Sequence, residues 1–140
     1  MRTIVTVLAH GTFDLLHLGH VRFLEQAKKL GDRLIVSVTA DDYVRKGPGR
    51  PVFTAAERCE ILSALRCVDG TCIVYDETAL PAIKEYHPQL YAKGSDYIAS
   101  DNANLHRERE AVEAVGGKLV IVTSGQKWYS TELLTHAVAH

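Results

Sequence analysis

The segment from Ala9 to His20, AHGTFDLLHLGH, holds residues whose types and spacing are suited to binding an anion. His17 and His20 are three residues apart, so on a helix their side chains share one face. Gly11 allows a ligand to approach the backbone closely, and the free amides at the start of a helix favour negative charge. Because two imidazoles at such a helix start can hold phosphate oxygens, we expect phosphate chemistry here.

A histidine pair at this spacing also has two simpler explanations. It could be half of a zinc site, but the sequence contains no convincing further ligands, and we predict no protein-bound metal. It could also be two ordinary surface histidines. The pair follows an apolar run and a glycine turn, where parallel α/β sheets bind ligands, and this context favours the functional interpretation.

Short apolar runs rich in β-branched residues alternate with helical patterns along the chain. This alternation predicts a Rossmann-like α/β fold with three α/β/α layers and a five-stranded parallel sheet. We expect residues 1–140 to form one domain. The predicted strands cover residues 4–8, 34–38, 72–75, 90–92 and 119–122, and the predicted helices cover residues 17–30, 54–65, 80–85, 105–115 and 130–138.

Ligands of parallel sheets bind beyond the carboxyl ends of the strands. A basic loop, KGPGRP at residues 46–51, lies in one of the segments that this rule selects. Either Lys46 or Arg50 could close over a phosphate chain, and the sequence leaves both candidates open. A capping box, Thr54 with Glu57, predicts where the next helix begins.

The composition limits the classes of partner. The formal net charge is −1, so no overall basic field attracts nucleic acid. No apolar run approaches the roughly 20 residues of a membrane helix, and the opening eight residues are too short for a signal peptide. The three cysteines form no CxxC pair. We therefore expect a cytoplasmic protein that binds neither nucleic acid nor membranes.

Taken together, these motifs resemble the HxGH nucleotidyltransferase superfamily and, more narrowly, its cytidylyltransferase-like group. That group includes glycerol-3-phosphate cytidylyltransferase and the nucleotidyltransferase domain of bacterial ADP-heptose synthase. The resemblance covers nearly the whole chain. It rests on GTFDLLHLGH at 11–20, GDRLIV at 31–36, RPV at 50–52, Glu57-Arg58, AKGSDY at 92–97 and Ser130-Thr131.

The resemblance implies transfer of CMP from CTP to a phosphorylated sugar or polyol, with release of pyrophosphate. Two alternatives remain: an adenylyltransferase that uses ATP to make an ADP-sugar, and a non-catalytic nucleotide sensor. The attack would be an in-line displacement by the acceptor's own phosphate, helped by positioning and charge stabilisation. Mg²⁺ would accompany the triphosphate, and the family is commonly dimeric, so we expect a homodimer.

The resemblance also implies roles for individual residues. The expected catalytic residues are His17, His20 and Lys46. The expected nucleotide-binding residues are Gly11, Thr12, Phe13, His17, His20, Lys93, Gly94, Asp96, Ser130 and Thr131. The residues expected to bind phosphate or the acceptor are Asp14, Arg50, Arg58 and Lys127. For Asp14 the alternative is that it caps or orients the loop or holds a nearby side chain. Lys127 stands near the place where the glycerol phosphate enzymes carry an arginine, and a lysine cannot form the bidentate contact of a guanidinium.

Overall fold

The computed structural model describes residues 2–95 and 103–123. Strands and helices alternate, as the sequence predicts. The strands are β1 (Thr6–Gly11), β2 (Arg33–Thr39), β3 (Gly70–Val74), β4 (Leu90–Gly94) and β5 (Lys118–Val122), and the helices are α1 (Leu18–Lys29), α2 (Ala55–Ser63), α3 (Leu80–Tyr86) and α4 (Ala103–Ala114). The predicted helix at 130–138 lies outside the described residues, as do the predicted site residues Asp96, Lys127, Ser130 and Thr131.

The five strands form one parallel sheet in the order β3-β2-β1-β4-β5. Ala9 of β1 pairs with Val36 of β2 on one side and with Ala92 of β4 on the other. Strands β2 and β3 are thus added on one side of β1, and β4 and β5 are then added on its other side. The switch point between β1 and β4 is where such a sheet opens a crevice for a ligand.

Two apolar clusters cover the two faces of the sheet. On one face, Val7 and Ala9 of β1 pack with Leu24 of α1 and Leu62 of α2. On the other face, Leu8 of β1 and Tyr91 of β4 pack with residues of α3 and α4, among them Ile83 and Val112. These clusters are the two interfaces of the predicted three-layer arrangement, because successive side chains of a strand point to opposite faces.

The end of β1 and the segment after β2 differ from the sequence prediction. Strand β1 reaches Gly11, three residues beyond its predicted end, so His10 belongs to the sheet. A short 3-10 turn, Asp41–Tyr43, follows β2. The position after the end of α1 requires a glycine, Gly31, because a Cβ there would lie 2.8 Å from the carbonyl oxygen of Val5. In the described part of the chain, no helix has the length and apolar character needed to cross a membrane.

Candidate active site

The histidine pair stands at the first turn of α1, which begins one residue after His17. His17 is the N-cap residue, and its Nδ1 accepts the backbone N–H of Gly19 at 3.1 Å. His20 reaches back in the same way, with its Nδ1 accepting the N–H of His17 at 3.2 Å. The two rings are stacked, with centroids 3.8 Å apart. The pair therefore forms a capping box in which both positions are occupied by imidazoles.

These hydrogen bonds determine which ring nitrogen carries the proton. A backbone N–H donates to each Nδ1, so in a neutral imidazole the proton must be on Nε2. Burial, followed by repulsion from His17 and Lys46, lowers the pKa of His20 to about 3. Burial and Lys46 also lower the pKa of His17. Both rings thus favour the neutral form, with an Nε2–H available as a donor.

The Nε2 atom of His17 is shielded from solvent and has no hydrogen-bond partner among the described residues. A buried polar atom in this state is unfavourable unless a ligand supplies the missing partner. An oxygen of a bound phosphate would accept this proton. Among the predicted site residues that the structure describes, His17 thus carries the most direct structural sign of a ligand.

The turn between β1 and α1 brings its backbone close to this pair. Phe13 has a φ of 53°, which is uncommon for a non-glycine residue. Its ring meets that of His20 edge to face, with centroids 5.3 Å apart. A Cβ at Gly11 would lie 3.0 Å from this ring, so a glycine leaves room for it. The side chain of Phe13 is buried in the core, and only its backbone remains for a nucleotide contact.

Asp14 is fully buried and faces the basic loop. Its carboxylate accepts the backbone N–H groups of Val52 at 2.7 Å and Phe53 at 2.9 Å, and the Nε–H of Arg50 at 2.9 Å. Burial alone would raise the pKa of Asp14, but these three donors outweigh it and lower the pKa. The structure therefore places Asp14 behind the site, where it anchors the loop, and not where a phosphate or acceptor could contact it.

Arg58 is likewise buried, although the sequence suggests a phosphate contact. Its guanidinium donates to the carbonyl oxygens of Phe53 at 3.1 Å and Thr12 at 2.8 Å, and to the carboxylate of Asp41 at 2.7 Å. None of its side chain is exposed. In this structure Arg58 joins the start of α2 to the turn after β1, and it supports the site from behind.

Lys46 lies at the other end of the loop from Arg50 and is exposed. Gly47 and Gly49 follow with φ values of 100° and 77°, which glycine adopts without strain. Partial desolvation of the Lys46 ammonium group and the charge of Arg50 lower the pKa of Lys46, while the charge of Asp14 raises it. The charge of Lys46 also lowers the pKa of both His17 and His20, so it acts electrostatically on the histidine pair.

A cleft of about 140 Å³ opens at the switch point, above the ends of β1 and β4. It includes the predicted residues Gly11, Thr12 and Lys93. Gly94 ends β4, with open space where a Cβ would be. The cleft is also lined by His10, Thr39, Glu77, Asn104, Leu105 and Glu108.

This second group of lining residues was not predicted from the sequence. The alternation of β1 could have identified His10, because it lies on the same face as Leu8 and directly precedes Gly11. No local pattern identifies Glu108, which comes from α4 and is 4% exposed. Its carboxylate accepts the backbone N–H of Ala79, 29 residues earlier, at 2.7 Å.

Comparison with known families gives a consistent result. The sequence profile described as "Cytidylyltransferase-like" matches residues 8–134. The bifunctional protein HldE of Geotalea uraniireducens is 42% identical over 119 residues, which are 84% of this chain and 24% of that protein. The bifunctional protein HldE of Streptomyces coelicolor is 41% identical over 135 residues, which are 94% of this chain and 28% of that protein. The chain thus spans about a quarter of the length of these curated relatives.

Solved structures show the same architecture. A lipopolysaccharide core biosynthesis protein from Thermoplasma volcanium superposes with a TM-score of 0.72 at 28% identity, covering 90% of this chain and 100% of that chain. The pantothenate synthetase of Thermus thermophilus superposes with a TM-score of 0.63 at 16% identity, covering 92% of this chain and 61% of that chain. The second likeness concerns the fold alone.

Proposed function

Because the chain belongs to the cytidylyltransferase-like family of nucleotidyltransferases, we propose that it transfers AMP from ATP to the phosphate of a phosphorylated sugar and releases pyrophosphate. The observation that carries this proposal is the neutral histidine pair, in which a buried Nε2–H of His17 lacks a partner within residues 2–95 and 103–123. Such donors stabilise charge that develops on phosphate oxygens during phosphoryl transfer.

ATP is favoured over the CTP that the sequence motifs first suggested. The matched relatives are bifunctional HldE proteins. The AKGSDY motif at residues 92–97 resembles the heptose-type enzymes, which favours an ADP-sugar product and therefore ATP as the donor. CTP remains the second candidate, because the matched family is described as cytidylyltransferase-like.

The chemistry is an in-line displacement at the α-phosphorus. An oxygen of the acceptor phosphate forms the new bond to phosphorus, and the bond to the pyrophosphate oxygen breaks. The acceptor phosphate is already ionised at neutral pH, so the reaction needs no strong base. The Nε2–H groups of His17 and His20 would donate to the α- and β-phosphate oxygens as charge moves onto pyrophosphate, and Lys46 would close over the distal phosphates.

We further propose that Mg²⁺ enters with the triphosphate, where it would neutralise phosphate charge. The protein around the histidine pair fits an ion held by phosphate oxygens and water. Asp14, the acidic residue of the HxGH segment, is buried, and three donors engage its carboxylate. It is therefore not positioned as a ligand, and His17 and His20 keep their donor role.

A screen of pyrophosphate release tests the proposal. ATP and CTP would each be incubated with heptose 1-phosphate, glycerol 3-phosphate and ribitol 5-phosphate in the presence of Mg²⁺. We expect the fastest release with ATP and the sugar phosphate. Faster release with CTP would move the function to the second candidate. Nucleotide binding without release for any pair would contradict catalysis and support the sensor.

A further inference from the structure

The candidate site has two parts, which lie on opposite sides of the sheet. The histidine pair belongs to α1, which packs on the face of Val7 and Ala9. The side chains of His10 and Lys93 follow Leu8 and Tyr91 by two residues, so they share the opposite face, against α3 and α4. Gly11 and Thr12 form the boundary between the two parts.

This division matters for an in-line displacement. The leaving pyrophosphate and the attacking oxygen must stand on opposite sides of the α-phosphorus. If pyrophosphate is held by His17, His20 and Lys46, the attacking group comes from across Gly11 and Thr12. That direction is the cleft at the switch point, which has room for a six-membered ring, since cavities of about 150 Å³ accommodate benzene.

The charges that line the cleft are unsuited to a polyanion such as the triphosphate. Glu77 and Glu108 contribute two carboxylates, and the exposed carboxylate of Glu77 is also ion-paired with Arg45 at 3.3 Å. Lys93 contributes one amine, whose pKa burial lowers and the charge of Glu108 raises in part. The other polar groups are neutral, including the hydroxyls of Thr12 and Thr39. Carboxylates accept hydrogen bonds from hydroxyl groups and repel phosphates, so this lining matches a polyhydroxylated body.

His10 adds a neutral polar group to the floor of the cleft. Its Nδ1 lies 2.7 Å from the hydroxyl oxygen of Ser37, and its Nε2 lies 3.4 Å from that of Thr39. Burial, together with the charge of Lys93, lowers the pKa of His10 to about 3. The ring therefore stays uncharged and holds the Thr39 hydroxyl at the base of the cleft.

We propose that this cleft binds the hydroxyl-bearing body of the acceptor, with the carboxylates of Glu108 and Glu77 accepting hydrogen bonds from its hydroxyl groups. The inference rests on the proposed function for the reaction, and it names Glu108 as the residue that selects a polyol over a simple phosphate. Glu108 is suited to this selection because one of its oxygens is already held by Ala79, so the direction of the carboxylate is determined by the fold.

Equilibrium binding tests the assignment without requiring turnover. Calorimetry would compare heptose 1-phosphate with methyl phosphate, which has the phosphate but no hydroxyl groups. The wild-type chain should bind the sugar phosphate at least about tenfold more tightly, since a hydrogen bond to a charged group contributes that much. Glu108→Gln can still accept the N–H of Ala79, but it should lose most of this preference and keep its ATP affinity.

Two further variants make the experiment decisive. Glu110→Gln is the matched control, because Glu110 lies on the exposed face of the same helix and should bind both compounds like wild type. Glu77→Gln changes an exposed residue at the mouth of the cleft and breaks only an exposed ion pair with Arg45, which contributes little to stability. It should therefore fold normally and weaken sugar phosphate binding in the same direction.

Three results would overturn the inference. The first is a wild-type chain with no preference for heptose 1-phosphate over methyl phosphate. The second is unchanged sugar phosphate affinity in both Glu108→Gln and Glu77→Gln. The third is a loss of ATP affinity instead, which would place the nucleoside in the cleft. Because none of these depends on pyrophosphate release, they are distinguishable from a failure of the proposed reaction.

Discussion

The carboxylate of Asp14 accepts the Nε–H of Arg50 at 2.9 Å, in an ion pair of which at most 2% of either side chain is exposed. The same carboxylate holds the backbone of the residues that follow the loop. Arg50 is therefore fastened at the base of the loop, while Lys46 stands at its exposed part. This arrangement favours Lys46 over Arg50 as the side chain that reaches the phosphates.

Removal of the Asp14 charge should destabilise the fold. We expect Asp14→Asn to lower the free energy of unfolding by about 3–5 kcal/mol, because it leaves the buried guanidinium of Arg50 without its counter-charge. Urea denaturation measures the change. Asp42→Asn, at an exposed position nearby, should change the unfolding free energy by less than about 0.5 kcal/mol. A loss below about 1 kcal/mol in Asp14→Asn would show that the pair does not anchor the loop.

Substitution of His17 can separate catalysis from helix capping. Asparagine is a good N-cap residue, so His17→Asn should preserve the start of α1 and change the unfolding free energy by less than about 1 kcal/mol. It removes the Nε2–H, and we expect kcat to fall by about 10²–10³, as when one oxyanion donor is lost. His87→Asn, at an exposed position, is the control. Full activity in His17→Asn would refute a catalytic role for this ring.

Lys46 should contribute to binding of the triphosphate through its charge. Lys46→Met keeps the length of the side chain but removes its charge. We expect kcat/KM for the nucleotide to fall by about tenfold to a hundredfold, which corresponds to the loss of one charge-assisted hydrogen bond. Lys29→Met removes an exposed lysine at the far end of α1 and should have no effect. Equal values of kcat/KM in Lys46→Met and Lys29→Met would exclude closure of Lys46 over the phosphates.

Stability should depend on pH through the buried histidines. The folded chain has a pKa of about 3 for both His10 and His20, whereas an unfolded histidine has a pKa of about 6.5. Between these values the unfolded state binds protons that the folded state does not. The contribution of each histidine to the unfolding free energy is therefore unchanged above about pH 6.5 and decreases as pH falls towards 3.

Substitution of His10 provides a direct measure of this effect. His10→Asn removes one of these protons, so the slope of unfolding free energy against pH near pH 5 should decrease by about 1.4 kcal/mol per pH unit. Chemical denaturation at several pH values gives the slope. Gln26→Asn, an exposed substitution that removes no titratable group, is the control and should leave the slope unchanged. Identical slopes in wild type and His10→Asn would mean that the folded chain protonates His10 normally.

The sequence was sufficient for the features that depend on neighbouring residues. The alternation of apolar runs indicated the five strands and the three layers, and the capping box of Thr54 and Glu57 is present as predicted. The spacing of His17 and His20 placed two imidazoles on one turn of α1. Each strand, helix and cap involves residues no more than a few positions apart, so local periodicity and capping preferences are enough to specify these elements.

The roles of the charged residues required the tertiary structure. Asp14 and Arg58 look from the sequence like ligands of phosphate, yet the fold buries both and turns them toward partners 36 and 46 residues away in Arg50 and Thr12. The cleft depends likewise on Glu108, whose carboxylate contacts Ala79 of another element. Such contacts exist only because the β1–β4 switch point brings distant elements together. The sequence by itself thus determined the elements and the histidine pair, whereas the tertiary structure decided which charges face the ligand and which support the site.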